Sequence, residues 1–168
     1  TALIGKPSEI TFRYTEHCIS REARKLGIEE PIKTMYLIGD CPGADIVGSN
    51  LYQRYIDRLI TRRNQHQGST EKEARLAEMI DPELPMSRNV PPSANFLKQT
   101  VEQVKSILVC TGVYKPGVDP EPGLDDGEEK NCEGHRDFPK QTELLRPTII
   151  LPDVDAAIDY ILESEQMT

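Results

Sequence analysis

Apolar residues in the first part of the chain follow the four-residue spacing of one helix face. They are Ile10, Tyr14, Cys18, Ile19 and Leu26. This spacing predicts a helix over residues 9–26 that packs through this stripe. Ser8 stands where an N-cap hydroxyl is expected, and Gly27 is typical of the residue that follows a helix C-terminus.

Three short apolar runs predict β-strands. They are "TMYLIG" at residues 34–39, "SILVCTG" at 106–112 and "TIIL" at 148–151. The first run is almost continuously apolar, which is typical of a strand in a parallel sheet that is covered on both faces. A second helix is predicted to begin near Ala44, directly after this run.

Helical spacing returns twice in the second half of the chain. Leu97, Val101 and Val104 predict a helix before the second strand. A last helix is predicted after the third strand, and Asp153 is its expected N-cap. Its apolar stripe consists of Val154, Ala157, Ile158, Ile161 and Leu162.

Two stretches carry too little apolar character to pack as core elements. Residues 62–95 are first charged and then rich in proline and serine, so we expect a surface insertion that is partly flexible. Residues 115–145 are expected to form a long loop. The predicted organisation is therefore a core over residues 1–61, the insertion, and the remaining core over residues 96–168.

The alternation of strands and helices predicts an α/β fold with parallel βαβ units. In such sheets, ligands bind beyond the carboxyl ends of the strands. Asp40 follows the first strand directly and lies at such an end. Lys6 also lies at such an end if residues 2–4 are extended.

Charge and cysteine content exclude several classes of partner and site. The 168 residues carry a net charge of −8, which argues against nucleic acid or an anionic membrane as the main partner. No apolar run approaches the roughly 20 residues of a membrane span. The four cysteines contain no CxxC pair, so zinc binding and a disulfide framework are not expected, and an intracellular location fits. They are Cys18, Cys41, Cys110 and Cys132.

The segment "GDCPGAD" places two carboxylates, Asp40 and Asp45, around a Pro42-Gly43 turn. Mg²⁺ is commonly held by one or two carboxylates together with water and phosphate oxygens. Alternatively, Asp40 simply ends a strand and Asp45 caps a helix. Lys6 adds a cation at the entry to a helix, where backbone N–H groups also favour an anion. Together the three residues are typical of a phosphoryl-transfer site.

These segments resemble a known family. "IGKPS" and "LIGDCPGADIVGSNLY" are similar to the third and fourth motifs of the haloacid dehalogenase (HAD) hydrolase superfamily, in particular its class IIA, p-nitrophenylphosphatase-like subgroup. "SILVCTGVY" and "GHRDFP" resemble its cat eye syndrome critical region protein branch. The resemblance covers residues 1–56, 106–115 and 134–163.

The resemblance implies a Rossmann-like parallel sheet flanked by helices and a role for each motif residue. Lys6 would steady the nucleophile and the phosphoryl oxygens. Asp40 would bind Mg²⁺. Asp45 would bind it directly or through water, or would orient the ligands around it. The family's reaction passes through an aspartyl-phosphate, formed on a small phosphorylated substrate. The resemblance also implies a mitochondrial location.

The aspartate nucleophile of this family lies in a DxDG motif upstream of a cap domain. The one DxD in this chain is Asp153 to Asp155, and its position at the start of a predicted helix indicates a cap. We therefore expect an incomplete HAD core without the central nucleophile strand and the cap domain. The apolar strand 34–39 would then be an exposed sheet edge, through which the chain could self-associate.

The resulting interpretation is the C-terminal part of a Mg²⁺-dependent, phosphatase-like hydrolase that is inactive alone. The alternative is a non-catalytic, HAD-derived binding or assembly module. Two other residues are candidates for a site. Cys41 adjoins Asp40 and is interpreted as a small loop residue rather than a redox centre, and His135 as a residue that orders a loop or lines the pocket of the complete protein.

Overall fold

The computed structural model describes residues 5–65, 99–124 and 141–166. Within these ranges the chain forms three α-helices and three strands, with a short 3₁₀ turn between the second and third strands. They are α1 (Glu9–Lys25), β1 (Thr34–Gly39), α2 (Val47–Gln65), β2 (Gln103–Val109), β3 (Ile149–Leu151) and α3 (Val154–Gln166). The fold is mixed α/β with a small parallel sheet flanked by helices, as the alternation of patterns predicts.

The sheet of the described residues has three parallel strands in the order β1-β2-β3. Met35 of β1 lies opposite Val104 of β2, and Leu108 of β2 lies opposite Ile150 of β3. β1 is thus an edge strand within the part of the chain that the structure describes. Self-association through this edge stays a prediction.

The prediction of a helix that includes Val101 and Val104 is wrong. Val101 precedes β2 without regular structure, and Val104 belongs to β2 itself. Pairing with β1 overrides the helical spacing, and β2 therefore begins three residues before the predicted start of the strand at residue 106. Leu97, the third member of that pattern, lies outside the described residues.

The extent of α1 agrees with its prediction, but its predicted packing face is wrong. Tyr14 is 55% exposed and Leu26 is 79% exposed, whereas Phe12 and Glu16 are buried. The buried face is defined by α2, since the Phe12 ring stacks on the Tyr52 ring with centroids 5.9 Å apart. The Glu16 carboxylate is thus buried on the inward face of α1, a position that the spacing of apolar residues cannot predict.

The predicted ends of the helices have mixed outcomes. Gly27 has a left-handed φ of 80°, and its N–H donates to the carbonyl of Arg24, which confirms it as the helix stop. Ser8 precedes α1, but its buried hydroxyl makes no cap hydrogen bond. Asp153 caps α3, because its Oδ1 accepts a hydrogen bond of 2.9 Å from the N–H of Ala156.

The core lies on both faces of the sheet. One face packs against α1 and α2 through a buried cluster: Phe12, Met35, Tyr52, Tyr55, Ile56, Leu59, Val101 and Val104. The opposite face packs against α3 through Ile107, Val109 and Ala157. Val154, Ile158 and Leu162 of the predicted α3 stripe stay 44–54% exposed, so only part of that stripe contacts the sheet.

The predicted insertion and loop lie largely outside the described residues. α2 continues to Gln65, four residues beyond the predicted end of the first core segment at residue 61. Residues 66–98 and 125–140, which include His135 and Cys132, are not described. Across the helices of the described ranges, none combines the length and apolar character needed to cross a membrane.

Candidate functional site

The carboxyl end of β1 holds Asp40 against the turn that follows β2. Oδ2 of Asp40 accepts a hydrogen bond of 2.7 Å from the N–H of Val113. The backbone carbonyl of Asp40 accepts a second, of 3.0 Å, from the N–H of Tyr114. Because β1 and β2 are parallel neighbours, their carboxyl ends meet at this edge and the turn reaches Asp40.

Asp45 lies in a short π-helical turn, Pro42–Ile46, that leads from β1 into α2. Its Oδ2 accepts a hydrogen bond of 3.1 Å from the N–H of Cys41, and its own N–H donates to the Cys41 carbonyl at 2.8 Å. The side chain folds back over Gly39, where an added Cβ would lie 2.4 Å from the Cβ of Asp45. The absence of a side chain at Gly39 therefore provides the space that the Asp45 side chain occupies.

Lys6 reaches the same edge from the segment before α1. Its Nζ lies 2.5 Å from Oδ1 of Asp45, across 39 positions of sequence. The Lys6 side chain is 55% exposed, whereas that of Asp45 is 12% exposed. The hydrogen bond to Asp45, followed by the negative charges of Asp45 and Asp40, raises the pKa of Lys6 above its usual value despite the opposing effect of desolvation. Lys6 is therefore a cation at neutral pH.

The two carboxylates differ in how many of their oxygens accept a hydrogen bond. Both oxygens of Asp45 are engaged, one by Lys6 and one by the Cys41 N–H. Asp40 uses Oδ2, and no residue in the described ranges donates a hydrogen bond to its Oδ1. Asp40 is thus the carboxylate with an oxygen available to a ligand, and Asp45 holds Lys6.

The described carboxylates fit Mg²⁺ only if the cation takes most of its ligands from water or substrate phosphate rather than from the protein. Within residues 5–65, 99–124 and 141–166, no group of three or more His, Cys, Asp or Glu side chains could hold a metal ion. Mg²⁺ is commonly bound by one or two carboxylates, with water and substrate phosphate as the rest. The free oxygen of Asp40 suits that mode.

The structure therefore brings together the sequence-predicted residues and adds two that sequence reasoning missed. Lys6 contacts Asp45, and Asp40 lies close enough for its charge to act on Lys6. The additions are Gly112 and Val113, whose turn contacts Asp40. The sequence contained a signal for Gly112, since this glycine is the last residue of the second predicted strand.

Cys41 and two residues of α2, Asn50 and Arg54, have structural roles. Cys41 acts through its backbone N–H on Asp45. The Asn50 side-chain amide donates to the carbonyls of Leu144 and Arg146, at 2.7 and 2.9 Å, and so ties α2 to the short 3₁₀ turn before β3. Arg54 donates to Gln141, which directly precedes the same turn, and so also ties α2 to it.

Comparison with curated proteins shows a short local similarity. The chain is 38% identical over 48 residues to the cardiolipin synthase (CMP-forming) / mitochondrial hydrolase fusion protein of Schizosaccharomyces pombe. The match covers 29% of this chain and 8% of that protein. No protein-family profile matches the chain, and no solved structure matches it.

Proposed function

We propose that this chain is part of a Mg²⁺-dependent, phosphatase-like hydrolase of the HAD type, which acts on a small phosphorylated substrate. The chain contributes the lysine and the acidic pair of the site. The aspartate nucleophile would come from a segment outside these 168 residues, since the one DxD of this sequence caps α3. The fission yeast protein, whose name includes a mitochondrial hydrolase, gives this proposal limited support because the similarity is short.

The observation that carries the proposal is the contact between Lys6 and Asp45 beside Asp40. Lys6 and Asp45 come from different elements and meet at 2.5 Å at the carboxyl end of the parallel sheet. An ordinary surface ion pair needs no second carboxylate with an available oxygen beside it. A cation, a partly free carboxylate and a strand end together supply the groups that phosphoryl transfer requires.

Each residue then has a distinct task. Lys6, held by Asp45, presents an ammonium group to phosphoryl oxygens and orients them. Asp40 would hold Mg²⁺ through the oxygen that the Val113 N–H does not occupy. Mg²⁺, when bound, supplies charge stabilisation at the transferring phosphoryl group. Asp45 keeps Lys6 protonated and in place, since its hydrogen bond is the main cause of the raised pKa of Lys6.

The metal part of the proposal is tested by titrating the chain with Mg²⁺ and following backbone amide shifts by NMR. We expect saturable shifts over residues 39–45 and 112–114. Asp40→Asn should weaken Mg²⁺ binding by roughly tenfold or more, since even outer-shell changes cost about 10–100-fold in metal affinity. Asp57→Asn, at an exposed carboxylate on α2, is the matched control. A wild-type chain without these shifts would favour a non-catalytic module.

The catalytic part is tested with p-nitrophenyl phosphate and Mg²⁺. The chain alone should show no turnover above background, because Asp40 and Asp45 are assigned to the metal and to Lys6, and the one DxD of the sequence begins at the residue that caps α3. Turnover that survives Asp40→Asn but disappears in Asp153→Asn would contradict the proposal, since Asp153 would then be the nucleophile.

A further inference from the structure

The turn after β2 approaches Asp40 more closely than any side chain would allow. A Cβ added to Gly112 would lie 1.8 Å from Oδ2 of Asp40 and 2.6 Å from its Cγ. The next residue, Val113, donates its N–H to the same Oδ2 at 2.7 Å. Gly112 and Val113 therefore act on one oxygen atom, the first by leaving space and the second by donating a hydrogen bond.

Space, not backbone conformation, explains the glycine. The glycines with a left-handed or otherwise positive φ are Gly5, Gly27, Gly117 and Gly123. Gly112 is not among them, so an alanine could adopt its backbone conformation without strain. The three atoms nearest to an added Cβ at that position all belong to the Asp40 side chain.

We infer that Gly112 and Val113 are positioning residues for Asp40. This inference rests on the proposed function, because it concerns how Asp40 presents its second oxygen to a cation. The Val113 N–H fixes Oδ2, and this contact orients Oδ1 as the oxygen that remains for a ligand. Gly112 allows the N–H to come within hydrogen-bonding distance.

The Gly112→Ala variant tests the orientation of the Asp40 carboxylate separately from the stability of the fold. The two atoms that a methyl group would approach most closely, Oδ2 and Cγ of Asp40, are at the end of the side chain and can rotate away, whereas the Asp40 Cβ lies at 3.0 Å. We therefore expect a variant whose thermal unfolding midpoint matches the wild type but whose carboxylate has turned from Val113. Roughly tenfold weaker Mg²⁺ binding is expected, comparable with the loss of an outer-shell partner.

The measurement combines Mg²⁺ titration with hydrogen exchange of the Val113 amide. In the wild type this amide should be protected, and both Gly112→Ala and Asp40→Asn should reduce its protection. Gly43→Ala is the matched control, because it lies in the same region, has no positive φ, and an added Cβ there meets no atom within 4 Å. Its Mg²⁺ affinity and its Val113 protection should equal those of the wild type.

The outcomes distinguish this inference from the proposed function. A wild type that binds no Mg²⁺ overturns the proposed function, and the positioning role fails with it. A wild type that binds Mg²⁺ through Asp40, together with unchanged affinity and unchanged Val113 protection in Gly112→Ala, overturns the positioning role alone. A markedly lower unfolding midpoint in Gly112→Ala would also contradict it, because Asp40 would then be rigid packing rather than a movable ligand.

Discussion

Carboxylates accept backbone hydrogen bonds at both ends of the sheet, in contrasting surroundings. Near the start of β2, Glu16 of α1 is 4% exposed. It accepts hydrogen bonds from the Tyr52 hydroxyl at 2.5 Å and from the N–H groups of Thr100 and Val101 at 2.9 and 3.1 Å. At the carboxyl end, the Asp40 carboxylate accepts one hydrogen bond, from the backbone N–H of Val113. The Asp45 carboxylate accepts one from a backbone N–H and one from Lys6.

The difference indicates which carboxylate serves the fold and which the site. A buried polar group destabilises a protein unless it is hydrogen-bonded, so Glu16 and its donors are required together. Glu16 joins α1 to α2 and to the start of β2, and the protein itself supplies its donors. Asp40 accepts a hydrogen bond at Oδ2, and within the described ranges no residue donates to its Oδ1.

The largest expected effect comes from removing the buried carboxylate. Glu16→Ala leaves the Tyr52 hydroxyl and two backbone N–H groups without their acceptor, at a cost of roughly 1–3 kcal/mol for each buried group. We expect the free energy of unfolding to fall by about 3 kcal/mol or more, measured by urea denaturation. Glu16→Gln should lose less, since its amide oxygen can still accept.

Glu22→Ala, on the exposed face of the same helix, is the control and should leave the midpoint near that of the wild type. A Glu16→Ala chain as stable as this control would remove the contrast between the two ends of the sheet.

An intermediate effect is expected at high pH. Burial, followed by the hydrogen bond to Glu16, raises the pKa of Tyr52 far above its usual range. A raised folded-state pKa gives a stabilisation that is complete below pH of about 10 and is lost as the pH rises further, because only the unfolded tyrosine ionises.

The wild type should therefore lose stability relative to Tyr52→Phe by about 1.4 kcal/mol per pH unit above pH of about 10. Urea denaturation of both chains at several pH values measures this difference. Parallel pH dependence of the two chains would show that Tyr52 ionises as easily in the folded protein as in the unfolded one.

The smallest effect on stability is expected at the candidate site. The Lys6–Asp45 ion pair is solvent-accessible on the lysine side, and such pairs typically contribute less than about 1 kcal/mol. Lys6→Ala should therefore change the free energy of unfolding by less than about 1 kcal/mol. A loss as large as that of Glu16→Ala would make Lys6 a structural residue and would weaken the proposed function.

The sequence predicted those features that depend on local pattern or on a motif. Strand β1, helix α1, the stop at Gly27 and the cap at Asp153 follow from apolar runs and from the properties of single residues. The position of Asp40 at the carboxyl edge of the sheet follows from the rule for parallel sheets. For Lys6 the prediction also required residues 2–4 to be extended, and these lie outside the described residues.

The features that the sequence did not predict depend on contacts between distant segments. The inward position of Glu16 arises from donors on α2 and before β2, so no periodicity within α1 contains it. The helical spacing of Val101 and Val104 gives way to pairing with β1. The contact of Val113 with Asp40 likewise requires knowledge that β2 lies beside β1.

The 73 positions between Asp40 and Val113 have a consequence for the order of folding. Closing such a long loop has a high entropic cost, which only the pairing of β1 with β2 offsets. A nascent chain that ends before residue 103 already contains Lys6, Asp40 and Asp45, but it lacks the partner strand and the turn. The contact that positions Asp40 is therefore formed late, once β2 has docked, and newly made chains should pass through a phase in which the candidate site is incomplete.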